Sequence, residues 1–300
     1  MFMGCAPLNA LLVLDKPQGL SSHGAVHRVR KITGETHAGH AGTLDPMATG
    51  ALLILLGSAA RLAEWIVDHD KKYRATVQLG VETDTYDATG TVVKTFAERY
   101  ADDAIRAALA SFVGKQNQVP PAHSAIQIQG KRAYKLARQG VEIAMPSRAV
   151  EIFSITNVDI ENNAVAFDIH CSKGTYIRSL AHDLGAKLGA GAHLAALRRT
   201  ASGNFSIAQS LTLAQVEAAV ADQTLEKYLL PMDLALGQFD ALHLDANRAR
   251  AICNGQFISA PANLTTPLVR AYDEQGNLIA ILERVSTQQL KPKKVLSNAP

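Results

Sequence analysis

Gly39-His40-Ala41-Gly42-Thr43-Leu44-Asp45-Pro46-Met47-Ala48-Thr49-Gly50 sets one carboxylate and one imidazole among glycines, threonines and a proline. Glycine permits tight turns and lets a ligand approach the backbone closely. Pro46 restrains the preceding Asp45 to extended geometry. The composition reads as a loop from Gly39 to Gly50. A carboxylate displayed on such a loop can serve as nucleophile, base or electrostatic group. Asp-Pro is also a common turn opener, so the residues alone leave Asp45 either a reacting group or a turn aspartate.

Apolar segments bracket this loop. Residues 11–14 form a short apolar run that stops at Asp15-Lys16-Pro17-Gln18-Gly19, a buried strand ending in a turn. Ser21 or Ser22 can cap a helix that reaches about Ile32 and ends before Gly34. On the far side, residues 52–56 read as a second buried strand, and Ser58 as the cap of a helix over 59–67. Alternation predicts strands over 73–79 and 91–96, and the spacing of Ile105, Leu109 and Phe112 predicts a helix over 102–112. Residues 114–146 change character. Pro120-Pro121, several glutamines and the basic run Lys131, Arg132, Lys135, Arg138 read as a protruding, partly helical insertion. Strands are expected at 151–160 and 164–171, and helices at 176–188 and 213–221. After Met232 a separate unit begins, a small β unit from about residue 240. Its clearest sign is the strand–turn–strand pattern around Asp273-Glu274-Gln275-Gly276-Asn277. Strands and helices interleave without a regular βαβ rhythm, which predicts an α+β fold with a mixed, largely antiparallel central sheet.

Composition narrows the function classes. Of 300 residues, 47% are hydrophobic and 19% charged, enough apolar material for a sizeable core. The net charge of +3 permits a polyanionic partner without demanding one. Cys5, Cys171 and Cys253 are too scattered for a disulfide framework or a CxxC metal site, and suggest a reducing compartment. The longest apolar run, 51–56, is far too short to span a bilayer. The N-terminus lacks a basic n-region, and the apolar run 11–14 is followed at once by Asp15 and Lys16, so a signal peptide is not expected. A cytoplasmic protein without a membrane partner is expected. His23 and His27 share a helical face, but a zincin needs Glu at position 24, which is Gly24. Asp84 and Asp87 read as turn carboxylates between two strands. Gly185, Gly189 and Gly191 follow a helix rather than a strand, which excludes a dinucleotide fingerprint, and there is no Walker-type loop. No cofactor or metal is expected.

A second segment can carry chemistry: Cys171-Ser172-Lys173-Gly174-Thr175-Tyr176-Ile177-Arg178-Ser179-Leu180. A strand ends, Gly174 turns, and a helix begins with Tyr176 and Arg178 in its first turn. Arg178 can pair with a carboxylate and hold it ionised. Tyr176 offers a face on which a base can stack. Equally, Tyr176 can be core and Arg178 a solvated charge.

Together these segments resemble the TruB pseudouridine synthase family. Asp15-Lys16-Pro17-Gln18-Gly19-Leu20-Ser21-Ser22 is similar to its first motif. The stretch 39–50 resembles the motif with the catalytic aspartate, and Lys72-Tyr73-Arg74 that with the active-site tyrosine. Ser172-Lys173-Gly174-Thr175-Tyr176-Ile177-Arg178 and Leu197-Arg198-Arg199 resemble the remaining two, so that ordered motifs cover roughly residues 10 to 205. The resemblance implies that Asp45 is the nucleophile. His40 would contact the RNA and keep the target base flipped, and Tyr73 would stack on that base. Tyr176 and Leu197 would line the pocket, Arg178 would pair with the aspartate, and Lys16 and Pro17 would be structural. This chain departs from the family pattern at Ala41, Met47 and His37; the last replaces a usual Lys or Arg, which puts a permanent phosphate anchor there in doubt.

The implied reaction is the isomerisation of uridine 55 in the T-arm of tRNA to pseudouridine. It implies a catalytic domain over 1–235, with an RNA-gripping insertion at about 115–146 carrying Lys131, Arg132, Lys135 and Arg138. It also implies a PUA-like RNA-binding domain over 240–300. The reaction breaks one glycosidic bond and forms another, so it calls for no cofactor. The chain, without long basic tails, suits a stand-alone enzyme with no obligatory protein or guide RNA. The competing expectations are a non-catalytic RNA-binding or tRNA-folding protein on the same scaffold, an RNA-guided synthase, and a metal hydrolase using the histidines.

Overall fold

The computed structural model describes residues 8–97, 100–124, 126–128, 130–133, 136, 139, 141 and 144–296. Among them the dominant feature is a ten-stranded sheet. Its strands are β1 (Ala10–Lys16), β2 (Ala38–Ala41), β3 (Thr49–Leu56), β4 (Lys71–Leu79) and β5 (Gly114–Gln118), followed by β6 (Arg148–Glu161), β7 (Ala164–Cys171), β8 (Ala192–Ser202), β9 (Phe205–Ser206) and β10 (Leu230–Pro231). The order is β10-β1-β3-β8-β4-β7-β6-β5, with β2 on β3 and β9 on β8. Every pairing is antiparallel except β3 with β8, where Arg198 faces Thr49 and Arg199 faces Gly50. The sheet is therefore mixed and largely antiparallel, as expected.

Four helices cover one face: α1 (Ser22–Thr33), α2 (Asp102–Ala110), α3 (Ile177–Leu188) and α4 (Leu213–Ala221). Helix α1 starts because the Ser21 side chain accepts from the backbone N–H of Gly24. It stops because Gly34 takes φ 74° and returns its N–H to the Arg30 carbonyl. Helix α3 ends the same way at Gly189. Beyond β10 lies a second sheet of β11 (Asp240–His243), β12 (Ile258–Ser259), β13 (Leu268–Tyr272), β14 (Leu278–Arg284) and β15 (Gln289–Val295), with helix α5 (Ala246–Cys253) packed on it.

The apolar runs at 11–14 and 52–56 have a physical explanation. Leu12, Leu14, Leu52, Ile54 and Leu56 point into the core beneath the four helices. Leu11, Val13, Leu53 and Leu55 point the other way, into a second core shared with Tyr272, Leu278 and Ile281 of the C-terminal sheet. Strands covered on both faces have no polar side to present, so their sequence does not alternate. Tyr272 Oη also donates to Asp233 Oδ2 at 2.8 Å, and Lys294 Nζ to the Arg61 carbonyl at 2.6 Å, tying the second sheet to the first.

Several expectations are corrected. The segment read as a loop from Gly39 to Gly50 begins and ends in strand: Ala38–Ala41 pairs with β3, and β3 already starts at Thr49. Ser58 caps nothing. A 3-10 turn, Gly57–Leu62, leads into a single helical turn, Ala63–Ile66, and the Ser58 hydroxyl instead points at the Met232 sulfur. The insertion cannot begin at 114, because Gly114–Gln118 is the edge strand of the main sheet, paired with β6. Strand β8, next to the site, went unread. Bulges between Leu194 and Ala196 and between Arg199 and Ala201 break its alternation, and two arginines sit in its middle. In the C-terminal unit, α5 was missed.

The close approach of β3 to β8 depends on Gly50, whose φ is 103°. A Cβ there would sit 2.2 Å from the Arg199 carbonyl oxygen and 2.8 Å from its nitrogen. Neither backbone atom can move without parting the strands. Gly50→Ala is expected to cost about 1–3 kcal/mol, read as a lower denaturant midpoint. An unchanged midpoint would mean that the strands part without penalty.

Candidate active site

The loop between β2 and β3 is pinned by donors along its whole first half. Arg199 donates through Nη2 to the Gly42 carbonyl at 3.0 Å and through Nη1 to Thr43 at 3.5 Å. Ser22 Oγ donates to the Leu44 carbonyl at 2.9 Å and accepts the Leu44 N–H at 2.7 Å. Asp45 O accepts from Ala48 N, and Pro46 O from Gly19 N at 2.7 Å. Arg199 and Lys16 are both fully buried. Lys16 Nζ donates to the Pro17, Leu20 and Pro46 carbonyls, locking the first turn of the chain to this loop. Burial is the chief reason its ammonium falls to about 8, with Asp45 opposing that shift.

Asp45 stands half-buried at a cavity of about 450 Å³. Arg178 Nε lies 2.9 Å from its Oδ2, although the N–H is not aligned as a hydrogen bond. The guanidinium continues to Asp87, with Nη1 3.2 Å from Oδ2, and to the Thr85 and His123 carbonyls. Arg178 is only 5% exposed, which removes the solvated-charge reading. Burial raises the Asp45 pKa above the ordinary aspartate value, Arg178 opposes this, Asp87 adds to it and Lys16 opposes it; the balance stays raised.

Asp87 is the residue that sequence reasoning undervalued. It is a turn carboxylate, as read: Oδ1 accepts from Thr89 N at 2.9 Å and from the Thr85 and Thr89 hydroxyls. It is also 3% exposed and the second partner of Arg178. The signal lay in the threonines on both sides, which supply the hydrogen bonds a buried carboxylate needs.

Tyr73, on β4, faces Arg199 of β8 across the register and lines the same cavity with Leu197. Its phenol is pushed up to about 12, chiefly by burial, with Arg199 hydrogen-bonded to it and opposing the shift. Tyr176 precedes α3, one residue outside the helix expected to include it. Gln118 holds its backbone from both sides: Nε2 donates to Tyr176 O at 3.0 Å, and Oε1 accepts from Tyr176 N at 2.8 Å. His40 lies on β2 opposite Ile54, with a buried Nδ1 that has no hydrogen-bond partner among the described residues. Burial first, then Arg199 and His23, lowers its pKa, so the ring is held neutral. It is not among the residues lining the cavity. His37 is exposed, its Nδ1 2.9 Å from the Thr36 hydroxyl.

Lys71 also lines the cavity and was not singled out. Its Nζ donates to the Val67 and His69 carbonyls, and burial takes it to about 8. In the insertion, Lys131 is exposed on a two-residue strand paired with Gln127–Ile128. Arg132 belongs to that strand, and Lys135 and Arg138 lie outside the described residues. Among the described residues no group of three His, Cys, Asp or Glu side chains is placed to share a metal ion, and no helix is long and apolar enough to cross a membrane.

A mixed, largely antiparallel sheet with helices on one face and a second β unit beyond it is a fold of the pseudouridine synthase class. Solved structures share it. The structure titled "Crystal Structure of a Cbf5-Nop10-Gar1 Complex" is 25% identical with a TM-score of 0.74, covering 97% of this chain and 86% of that one. Three family models tile the sequence: "TruB family pseudouridylate synthase (N terminal domain)" over residues 30–177, "tRNA pseudouridylate synthase B C-terminal domain" over 178–237, and "Pseudouridine synthase II TruB, C-terminal" over 241–296. The chain is 44% identical to tRNA pseudouridine synthase B of Nitrosococcus oceani, over 96% of this chain and 95% of that protein. It is 41% identical to the protein of that name from Aromatoleum aromaticum, over 97% and 93%. The chain belongs to the TruB family of pseudouridylate synthases.

Proposed function

We propose that this protein isomerises uridine 55 in the T-arm of tRNA to pseudouridine, with Asp45 as the nucleophile and the uridine flipped out of its stack. The observation that carries the proposal is the Asp45–Arg178 contact at 2.9 Å beside a cavity of about 450 Å³, on a loop held from below by Arg199 and Lys16. The names of the relatives support tRNA as the substrate.

The residues divide the work. The N-glycosidic bond breaks, the uracil turns within the cavity, and C5 bonds to C1′ while a proton leaves C5 and N1 gains one. Addition of the carboxylate to C1′, its addition to C6, and charge stabilisation on a glycal route all require Asp45 ionised, and Arg178 keeps it so. Tyr73 and Leu197 wall the base; with its phenol near 12, Tyr73 stays protonated at neutral pH and serves as a stacking surface rather than a resting base. Tyr176 lines the same cavity. His40, neutral on β2, fills the gap left by the flipped base, whose extrusion costs a few kcal/mol. Residues 1–235 form the catalytic domain. The insertion, with Lys131, Arg132, Lys135 and Arg138, grips the T-arm backbone, and 240–300 is a PUA-like RNA-binding module. No guide RNA or protein partner is needed.

The test is mass-spectrometric mapping of pseudouridine in tRNA incubated with the pure protein alone. Modification confined to position 55 is expected. Binding without modification would select the RNA-binding or tRNA-folding reading, and modification only with an added RNA would select the guided one. A pH profile sharpens the test. Because the Asp45 pKa is raised, its charge is lost at a higher pH than that of an ordinary aspartate. As pH falls, single-turnover kcat/KM should decline with a midpoint above 3.8. A midpoint at or below that value would show that ionisation of Asp45 does not control the rate.

A further inference from the structure

Nε of Arg148, buried at the mouth of the Asp45 cavity that Ser124 also lines, has no acceptor among the described residues. Arg148 opens β6, its guanidinium carbon 5.9 Å from the centre of the Tyr176 ring. Ser124 adjoins the same ring. A guanidinium stays charged under all working conditions, and a buried N–H without an acceptor costs free energy. Such groups persist where a ligand completes them.

The surroundings say which ligand. Inside the cavity Arg178 already serves Asp45 and Asp87. At the rim Lys173 is paired with Asp68 at 2.8 Å. A groove of about 580 Å³ runs on from the cavity, sharing Ser172 and Lys173 with it and adding Lys115 and Glu151. Arg148 sits where cavity and groove meet, and neither Asp68 nor Glu151 is paired with it among the described residues. We infer that Arg148 and Ser124 bind one phosphodiester group of the RNA strand beside the flipped nucleotide, and that the strand leaves along the groove past Lys173 and Lys115. The Tyr176 ring lies within cation–π reach of the guanidinium, which favours its place beside the cavity.

This inference rests on the proposed reaction, and the test separates the two. Wild-type protein is first assayed for pseudouridine in a T-arm stem-loop. Binding is then measured with Asp45→Asn protein, so that no turnover intervenes, against salt and against stem-loops carrying a single neutral methylphosphonate at each position around the target. Arg148→Gln should weaken binding about tenfold or more and reduce the salt slope by about 0.7–0.9, one phosphate's worth. One methylphosphonate position should weaken the Arg148 protein but have little further effect in Arg148→Gln. Ser124→Ala should show the same coupling to a smaller degree. If Arg148→Gln loses its melting transition, Arg148→Lys carries the cycle: it should keep the salt slope and lose affinity with the coupling reduced. Additive effects at every phosphate, with an unchanged salt slope, would overturn the inference while pseudouridine formation by wild type stands. A wild type that neither binds nor modifies the stem-loop would remove the proposed reaction and this inference together.

Discussion

Asp45→Asn is expected to stop pseudouridine formation, by at least about four orders of magnitude, while the protein still folds and binds tRNA. The amide keeps the shape of the side chain and removes only its charge and nucleophilicity. The raised pKa gives a second, independent expectation. A carboxylate whose folded pKa exceeds its unfolded one stabilises the fold less as pH rises through those values. At neutral pH the ionised Asp45 is therefore a burden on stability, and Arg178 keeps Asp87 as partner without it. The variant should melt at or above the wild-type temperature. Single-turnover assays and calorimetry on the same preparation check both. Near-normal turnover would remove Asp45 from the chemistry, and a large fall in melting temperature would make it a structural residue.

Arg178→Ala is expected to damage both activity and fold. It strips two carboxylates, Asp45 and the 3%-exposed Asp87, of their shared cation. Breaking a buried pair in this way costs about 3–5 kcal/mol, or is relieved by proton uptake. Turnover should fall by about 10²-fold or more, since a protonated Asp45 is no nucleophile. The sign of the pH effect follows. In the variant Asp45, already raised by burial, loses the cation that opposes that shift, so stability recovers as pH falls, and the melting gap to wild type should be narrower at pH about 5 than at about 8. A gap that stays constant with pH would mean that the lost contacts are packing rather than charge.

How much of this was legible in the sequence depended on whether a residue's neighbours in the chain are also its neighbours in space. Helix α1, with its serine cap and its glycine stop, is a local construction and was read almost to the residue, as were Ala164–Cys171 and Leu213–Ala221. The pairing of Asp45 with Arg178 joins residues far apart in the chain; chemistry suggested that Arg178 needed a carboxylate, and only the ordered motifs said which. Asp87 stayed hidden because its local role as a turn aspartate was sufficient to explain it. Strand β8 stayed hidden because Arg199, fully buried, is spent on backbone carbonyls of another segment, and nothing in Leu197-Arg198-Arg199 reveals that. The boundary at Gly114 failed because the edge strand Gly-Lys-Gln-Asn-Gln contains almost nothing apolar. Its place in the sheet comes from backbone pairing with β6.

Five consecutive carbonyls, from Gly42 to Pro46, are each occupied by a donor from elsewhere in the fold or by the turn itself. A loop so held has few alternative shapes, and its carboxylate waits in one position rather than being carried there by a closing lid. On the proposed reaction, this loop has little left to rearrange when the substrate arrives. The nucleotide must then come to the carboxylate, because the carboxylate does not travel to the nucleotide.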